Sequence, residues 1–83
     1  MAKGANALQA ATFSTNSGRR LLAAGDVEGA ISQFRAAISS RPDYAPAHYH
    51  LALALKGKGQ TEEAAREFQK ASELDPHLQA PSQ

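Results

Sequence analysis

The stretch AHYHLALALKGKGQ, from Ala47 to Gln60, admits three readings: a metal site on His48 and His50, a strand of alternating Leu and Ala, or one helix of a larger array. Leu51, Leu53 and Leu55 do alternate as a half-buried strand would. Yet Ala, Leu and Lys are strong helix formers, and no β-branched residue occurs between Ala45 and Gln60. Ala47, Leu51, Ala54, Leu55 and Lys58 also fall on one face at helical spacing. A helix is therefore predicted, ended at Gly57-Lys58-Gly59 and Gln60 because glycine enters a left-handed cap without strain. On such a helix His48 and His50 point about 200° apart, too far to share a metal ion within one chain. His77 lies beyond Pro76 and has no fixed relation to either; a metal shared with a second chain is the remaining alternative.

Outward from this stretch, the chain repeats itself. A shift of 34 residues superposes Ala11 on Ala45, Leu21 on Leu55, Gly25 on Gly59, Glu28 on Glu62, Ala30 on Ala64, Phe34 on Phe68, Ala37 on Ala71 and Pro42 on Pro76. In each unit a glycine separates two helical segments and a proline closes the second. After Gln60, Thr61 is expected to cap a helix whose positive N-terminal dipole favours Glu62 and Glu63. Ala64, Phe68, Ala71 and Leu74 form its apolar stripe, and Asp75-Pro76 stops it, since proline disfavours helical geometry in the residue before it. The earlier unit uses Gly25-Asp26 as its turn, Ala30, Ile31, Phe34, Ala37 and Ile38 as its stripe, and Arg41-Pro42 as its stop. The alanines, with Gly18 and Ala52 on the facing helices, let antiparallel helices approach closely while Phe34 and Phe68 fill the space between.

The bulk properties narrow the function. The 83 residues suit one small domain with little core. Nine basic groups against eight acidic ones make no strong field for nucleic acid or anionic lipid. Without cysteine there are no disulfides, no cysteine zinc sites and no thiol catalysis. No apolar run is long enough to span a bilayer, and no secretory h-region follows Lys3; the expected compartment is the cytoplasm. The stretch before Asp26, rich in Ala, Ser, Thr and Arg and free of acid, also reads as a transit peptide, but part of it falls in the repeat. No base is placed to activate the serines and threonines at 12–17 and 39–40. Glu62, Glu63 and Glu67 read as a solvated helix face rather than a catalytic pair, and the glycines of 57–59 do not form a nucleotide loop. The expectation is no enzyme, no cofactor and no metal.

At these residues the chain resembles the tetratricopeptide repeat (TPR) family, with units at 11–44 and 45–78. The second unit carries Leu51-Ala52 in the family's Leu-Gly slot, Leu55 in the Tyr slot, then Ala64, Phe68, Ala71 and Leu74-Asp75-Pro76; His48 stands where an aromatic is usual. The first unit departs at its start, with Ser14 and Ser17 in the aromatic and Leu slots, but fits at Gly18, Leu21, Ala30, Ala37 and Pro42. The resemblance implies an all-α fold of four main helices in antiparallel helix-turn-helix pairs. Residues 1–10 are then an extension or the start of the first helix, with Leu8 giving partial cover, and 79–83 a flexible tail.

The resemblance also implies a protein-interaction module whose concave groove is lined by the first helix of each unit. In this register the groove carries Thr12, Thr15, Asn16, Arg19 and Leu22, then Tyr49, His50, Leu53 and Lys56. The partner-binding residues are expected to be Thr15, Asn16, Arg19, Tyr49, His50, Leu53 and Lys56. Tyr49, Leu53 and Lys56 make an apolar stripe with a basic end opposite Arg19, suited to a peptide with an apolar anchor and an acidic or C-terminal carboxylate group. The Lys and Asn of the family's carboxylate clamp have Thr15, Arg19 and His50 in their places. Against the groove stands plain packing of Tyr49 and Leu53 on Leu22 or another chain. Such arrays generally need three or more units, and the seven residues after Pro76 are too few for a capping helix. Leu74 and Leu78 are therefore expected to be uncovered, so that the chain is either an excerpt of a longer array or a homo-oligomer formed by end-stacking or helix swapping. A self-associating structural unit without a soluble ligand is the alternative function.

Overall fold

The computed structural model describes residues 3–81 as α1 (Lys3–Ala23), α2 (Val27–Ser40), α3 (Ala45–Gly57) and α4 (Thr61–Leu74), with no strand among the described residues. The fold is all-α. The stretch 51–55 is helical, as its composition predicts, because Leu51, Ala54 and Leu55 bury together while Leu53 packs from the side.

Glycine and proline set the hairpins. Gly25 and Gly59 have φ of 91° and 88°, the left-handed values a side chain rarely adopts. After α1, the Asp26 amide donates to the Leu21 carbonyl; after α3, the Gln60 amide donates to Leu55 in the same way. Both turns are thus glycine caps that bond back across the last helical turn. Arg41 and Asp75 end α2 and α4 in extended backbone, both at φ −145°, each held there by the proline that follows.

The capping expectation for Thr61 is corrected. Gln60 occupies the cap position and Thr61 is the first helical residue, so the threonine hydroxyl is one residue too late to reach the free amides. Asp26, the counterpart of Gln60, does cap: its carboxylate accepts from the Gly29 amide at 3.0 Å. The Gln60 side chain makes no cap hydrogen bond, so α4 relies on Glu62 and Glu63 in its first turn.

Each hairpin packs internally, α1 on α2 and α3 on α4, while α2 also packs on α3 and α1 touches α3 more lightly. Helix α3 is therefore covered on two sides. That explains why seven of its thirteen residues are buried and why its apolar residues run all round rather than along one stripe. The core is small-residue packing around two rings. Phe34 is fully buried, and a Cβ placed on Gly18 would lie 2.6 Å from its ring. Ala30, Ala52, Ala54 and Ala64 surround Phe34 and Phe68 in one cluster, while Ala11, Ala37 and Ala47 form a second. Arg35 pairs with Glu63 at 3.1 Å, and Lys58 pairs with Glu28. Both pairs tie the hairpins together at the surface, where such contacts contribute roughly 0–1 kcal/mol each.

At the end of the stack Leu74 is 38% exposed, as expected for a stripe residue with nothing laid over it, whereas Leu78 is half-buried. Leu8, expected to give partial cover, is itself 42% exposed.

Candidate partner-binding face

The α1–α3 side of the molecule brings a cation, an imidazole and an aromatic ladder together. His50 stacks on the buried Phe34 (centroids 5.8 Å apart, planes at 22°). Tyr49 meets His50 edge-on at 5.5 Å and Phe68 edge-on at 5.7 Å. The four rings thus run from the interior of one hairpin to that of the next, and Tyr49 and His50 form their outer rim. Burial lowers the pKa of His50 below 6.5, and the nearby Arg19 guanidinium lowers it further. The Arg19 guanidinium on α1 thus acts on the His50 ring across the packing of α1 on α3.

The remaining expected groove residues divide. Asn16 and Arg19 are exposed and line a shallow basic hollow on α1 with Arg20. Tyr49 and Leu53 are half-buried and pack on the core, as does Leu22, so both the groove reading and the packing reading describe part of their surface. Lys56 is exposed and borders a different concavity, the one along α4. Thr15 is corrected: it is only 3% exposed, because at four residues after Ala11 and three before Gly18 it lies on the buried seam of α1. Its hydroxyl oxygen has no hydrogen-bond partner among the described residues. Thr12 shares a 3.2 Å hydrogen bond with the Tyr44 hydroxyl and so fastens α1 to the turn before α3.

His48 turns away from His50. Its Nδ1 lies 2.7 Å from the Glu67 carboxylate and its Nε2 lies 2.8 Å from the Pro42 carbonyl, in a 5% exposed site. The ring therefore bridges α3, α4 and the α2–α3 turn. This corrects the reading of Glu67 as part of a solvated face: its side chain is 24% exposed and engaged. Glu63, at 33%, likewise holds Arg35. Past Pro76 no capping helix follows among the described residues, but Gln79 and Ala80 edge the concavity along α4.

Sequence reasoning left two features unread. One is the His48–Glu67 bridge, whose signal was the polar ring in a slot that points at the helix of its own hairpin. The other is the concavity along α4, whose signal is the 34-residue shift applied to the α2 residues that α3 covers.

Chemically the α1–α3 face offers a guanidinium, an imidazole, an amide and the partly exposed rim of half-buried aromatic rings. No helix among the described residues is long and apolar enough to cross a membrane. The Tetratricopeptide repeat family model matches residues 15–78, and the chain belongs to that family of protein-interaction modules. No curated protein matches the chain.

Proposed function

We propose that this chain is a non-catalytic interaction module that holds a peptide or protein segment on the face shared by α1 and α3. The segment supplies an acidic side chain or C-terminal carboxylate to Arg19, flanked by Asn16 and His50, and an apolar side chain to the Tyr49–Leu53 rim. What supports this reading is the ring arrangement of Tyr49, edge-on to both His50 and Phe68, together with the exposed Asn16 and Arg19 on α1, the latter acting electrostatically on His50. A cation beside an imidazole whose charged form burial disfavours leaves a positive, hydrogen-bonding spot next to half-buried rings, which suits a carboxylate next to an apolar anchor.

The test is fluorescence anisotropy with labelled peptides that share an apolar anchor and end in either a free carboxylate or an amide. The free-carboxylate peptides are expected to bind more tightly, and Arg19→Glu to weaken them by roughly 10- to 100-fold, the range of a charge-assisted hydrogen bond. Equal binding of both peptide sets, unchanged by Arg19→Glu, would remove this face from consideration.

A further inference from the structure

Helix α4 turns a groove of about 600 Å³ outward, lined by Thr61, Ala64, Ala65, Phe68 and Ser72 with Lys56 of α3. The same groove on α2 is filled. Shifted back by 34 residues, the lining becomes Val27, Ala30, Ile31, Phe34 and Ile38 with Leu22. All six belong to, or pack against, the cluster that α3 completes. Gln79 and Ala80, at the edge of the α4 groove, stand in register with Ala45 and Pro46 at the start of α3. The seating of α3 on α2 is therefore an internal template for a helix on α4.

Side-chain size indicates which helix. Toward α2, helix α3 offers small residues: Ala47 buries with Ala37 in the cluster that Ile38 packs against, and Ala54 buries in the cluster of Ala30 and Ile31. On α4 the large members have shrunk, with Ser72 in register with Ile38 and Ala65 with Ile31. Helix α1 changes in the opposite sense, with Phe13 in register with Ala47 and Arg20 with Ala54. Phe13 is 70% exposed, an aromatic side chain with no cover in the monomer. Glu62 is exposed in the first turn of α4, and among the described residues neither it nor Arg20 forms an ion pair.

From this reciprocal change we infer that the α4 groove receives α1 of a second copy of the chain, head to tail, with Phe13 over Ser72 and Arg20 reaching Glu62. Large meets small and cation meets anion where α3 and α2 have the reverse sizes. Gln79 and Ala80, both exposed, stand where Ala11 and Thr12 of the incoming α1 would sit by the same register, and give way to them. The contact joins two different surfaces, so copies add in a row rather than closing as a two-fold dimer. It does not depend on peptide binding at the α1–α3 face.

The experiment is sedimentation velocity on the full chain over a wide concentration range, with Phe13→Glu and Ala65→Glu as variants at exposed positions whose helicity is checked by circular dichroism. The wild type is expected to grow from 8.8 kDa in steps of one chain. Phe13→Glu blocks the α1 side and Ala65→Glu the groove side, so each alone remains monomeric, its dissociation constant raised by roughly 30-fold or more as for the loss of a buried aromatic anchor. Their equimolar mixture retains one intact α1 side and one intact groove, and is expected to form a heterodimer and nothing larger. A wild type that stays monomeric throughout, variants that assemble like the wild type, or a mixture that stays monomeric would each overturn the inference.

Discussion

Replacing Gly18 by alanine sets two effects of opposite sign against each other. In an interior turn of α1, alanine is a better helix former than glycine by about 1 kcal/mol. Against this, the new Cβ would meet Phe34 Cε1 at 2.6 Å, Cδ1 at 2.8 Å and Cζ at 3.0 Å. Ordinary carbon contacts lie near about 3.5–4.0 Å, so relief requires the ring to move by about 1 Å. Phe34 is fully buried among alanines and has no space to enter. Forced repacking of this kind costs about 1–3 kcal/mol, and three simultaneous contacts with a rigid ring place it near the upper end. The clash therefore wins, with a net loss of about 2 kcal/mol out of the roughly 5–15 kcal/mol typical of a folded domain. Gly57, in the last turn of α3, is the control: nothing lies within 4 Å of its added Cβ, so Gly57→Ala is expected to be neutral or stabilising by up to about 1 kcal/mol. Urea unfolding followed by circular dichroism measures both. Combining Gly18→Ala with Phe34→Leu should cost less than the sum of the single changes, because the smaller side chain removes the obstacle. If Gly18→Ala stabilises as much as Gly57→Ala, α1 and α2 do not approach as closely as described. The matching slot of α3 holds Ala52, whose Cβ is accommodated in the cluster that contains Phe68.

The His48 bridge and the seam of α1 give two further stability tests. Glu67→Ala leaves an enclosed ring nitrogen without its 2.7 Å partner and is expected to cost about 1–3 kcal/mol in urea unfolding, with Glu67→Gln costing less because it still offers an oxygen. Thr15→Val replaces an unpaired buried hydroxyl with a methyl of the same shape, so the melting temperature should hold or rise; a loss of more than about 1 kcal/mol would show that the hydroxyl is bonded. His50 predicts a pH dependence. Its folded pKa lies below 6.5, so the unfolded chain binds the proton more readily, and the stability associated with neutral His50 is complete above 6.5 and declines as pH falls through 6.5 toward the folded value. His50→Gln should flatten this part of the profile, and Arg19→Leu should move the His50 titration, read by the NMR shift of its ring protons, toward higher pH. An unmoved titration would mean that the guanidinium is not near the ring.

The helices and hairpins were legible because their signals are local. Gly25 and Gly59 set the turns, Pro42 and Pro76 set the stops, and Phe34 and Phe68 among alanines mark the buried faces at one spacing. Each of these acts within a turn or two of its own position, and a 34-residue shift was enough to see them recur. The cap at Thr61 was misplaced by one residue, the usual scale of error where a turn's geometry decides which amide is free.

The site was less legible, since its contacts join residues far apart in sequence. Nothing local distinguishes Thr15, buried, from Asn16, exposed; the rotation of α1 against its neighbours does. Glu67 reads as one more solvated acid until α4 is laid beside α3 and the carboxylate meets His48. Arg19 and His50 likewise become neighbours only through the packing of α1 on α3, and Lys56 falls beside the α4 groove because α3 is shared between two helices. Periodicity, turns and stops follow from each residue's own conformational preferences. The charge and hydrogen-bond partners depend on the angles and rotations at which helices cross, which the interlocking of the small side chains with the phenylalanine rings determines.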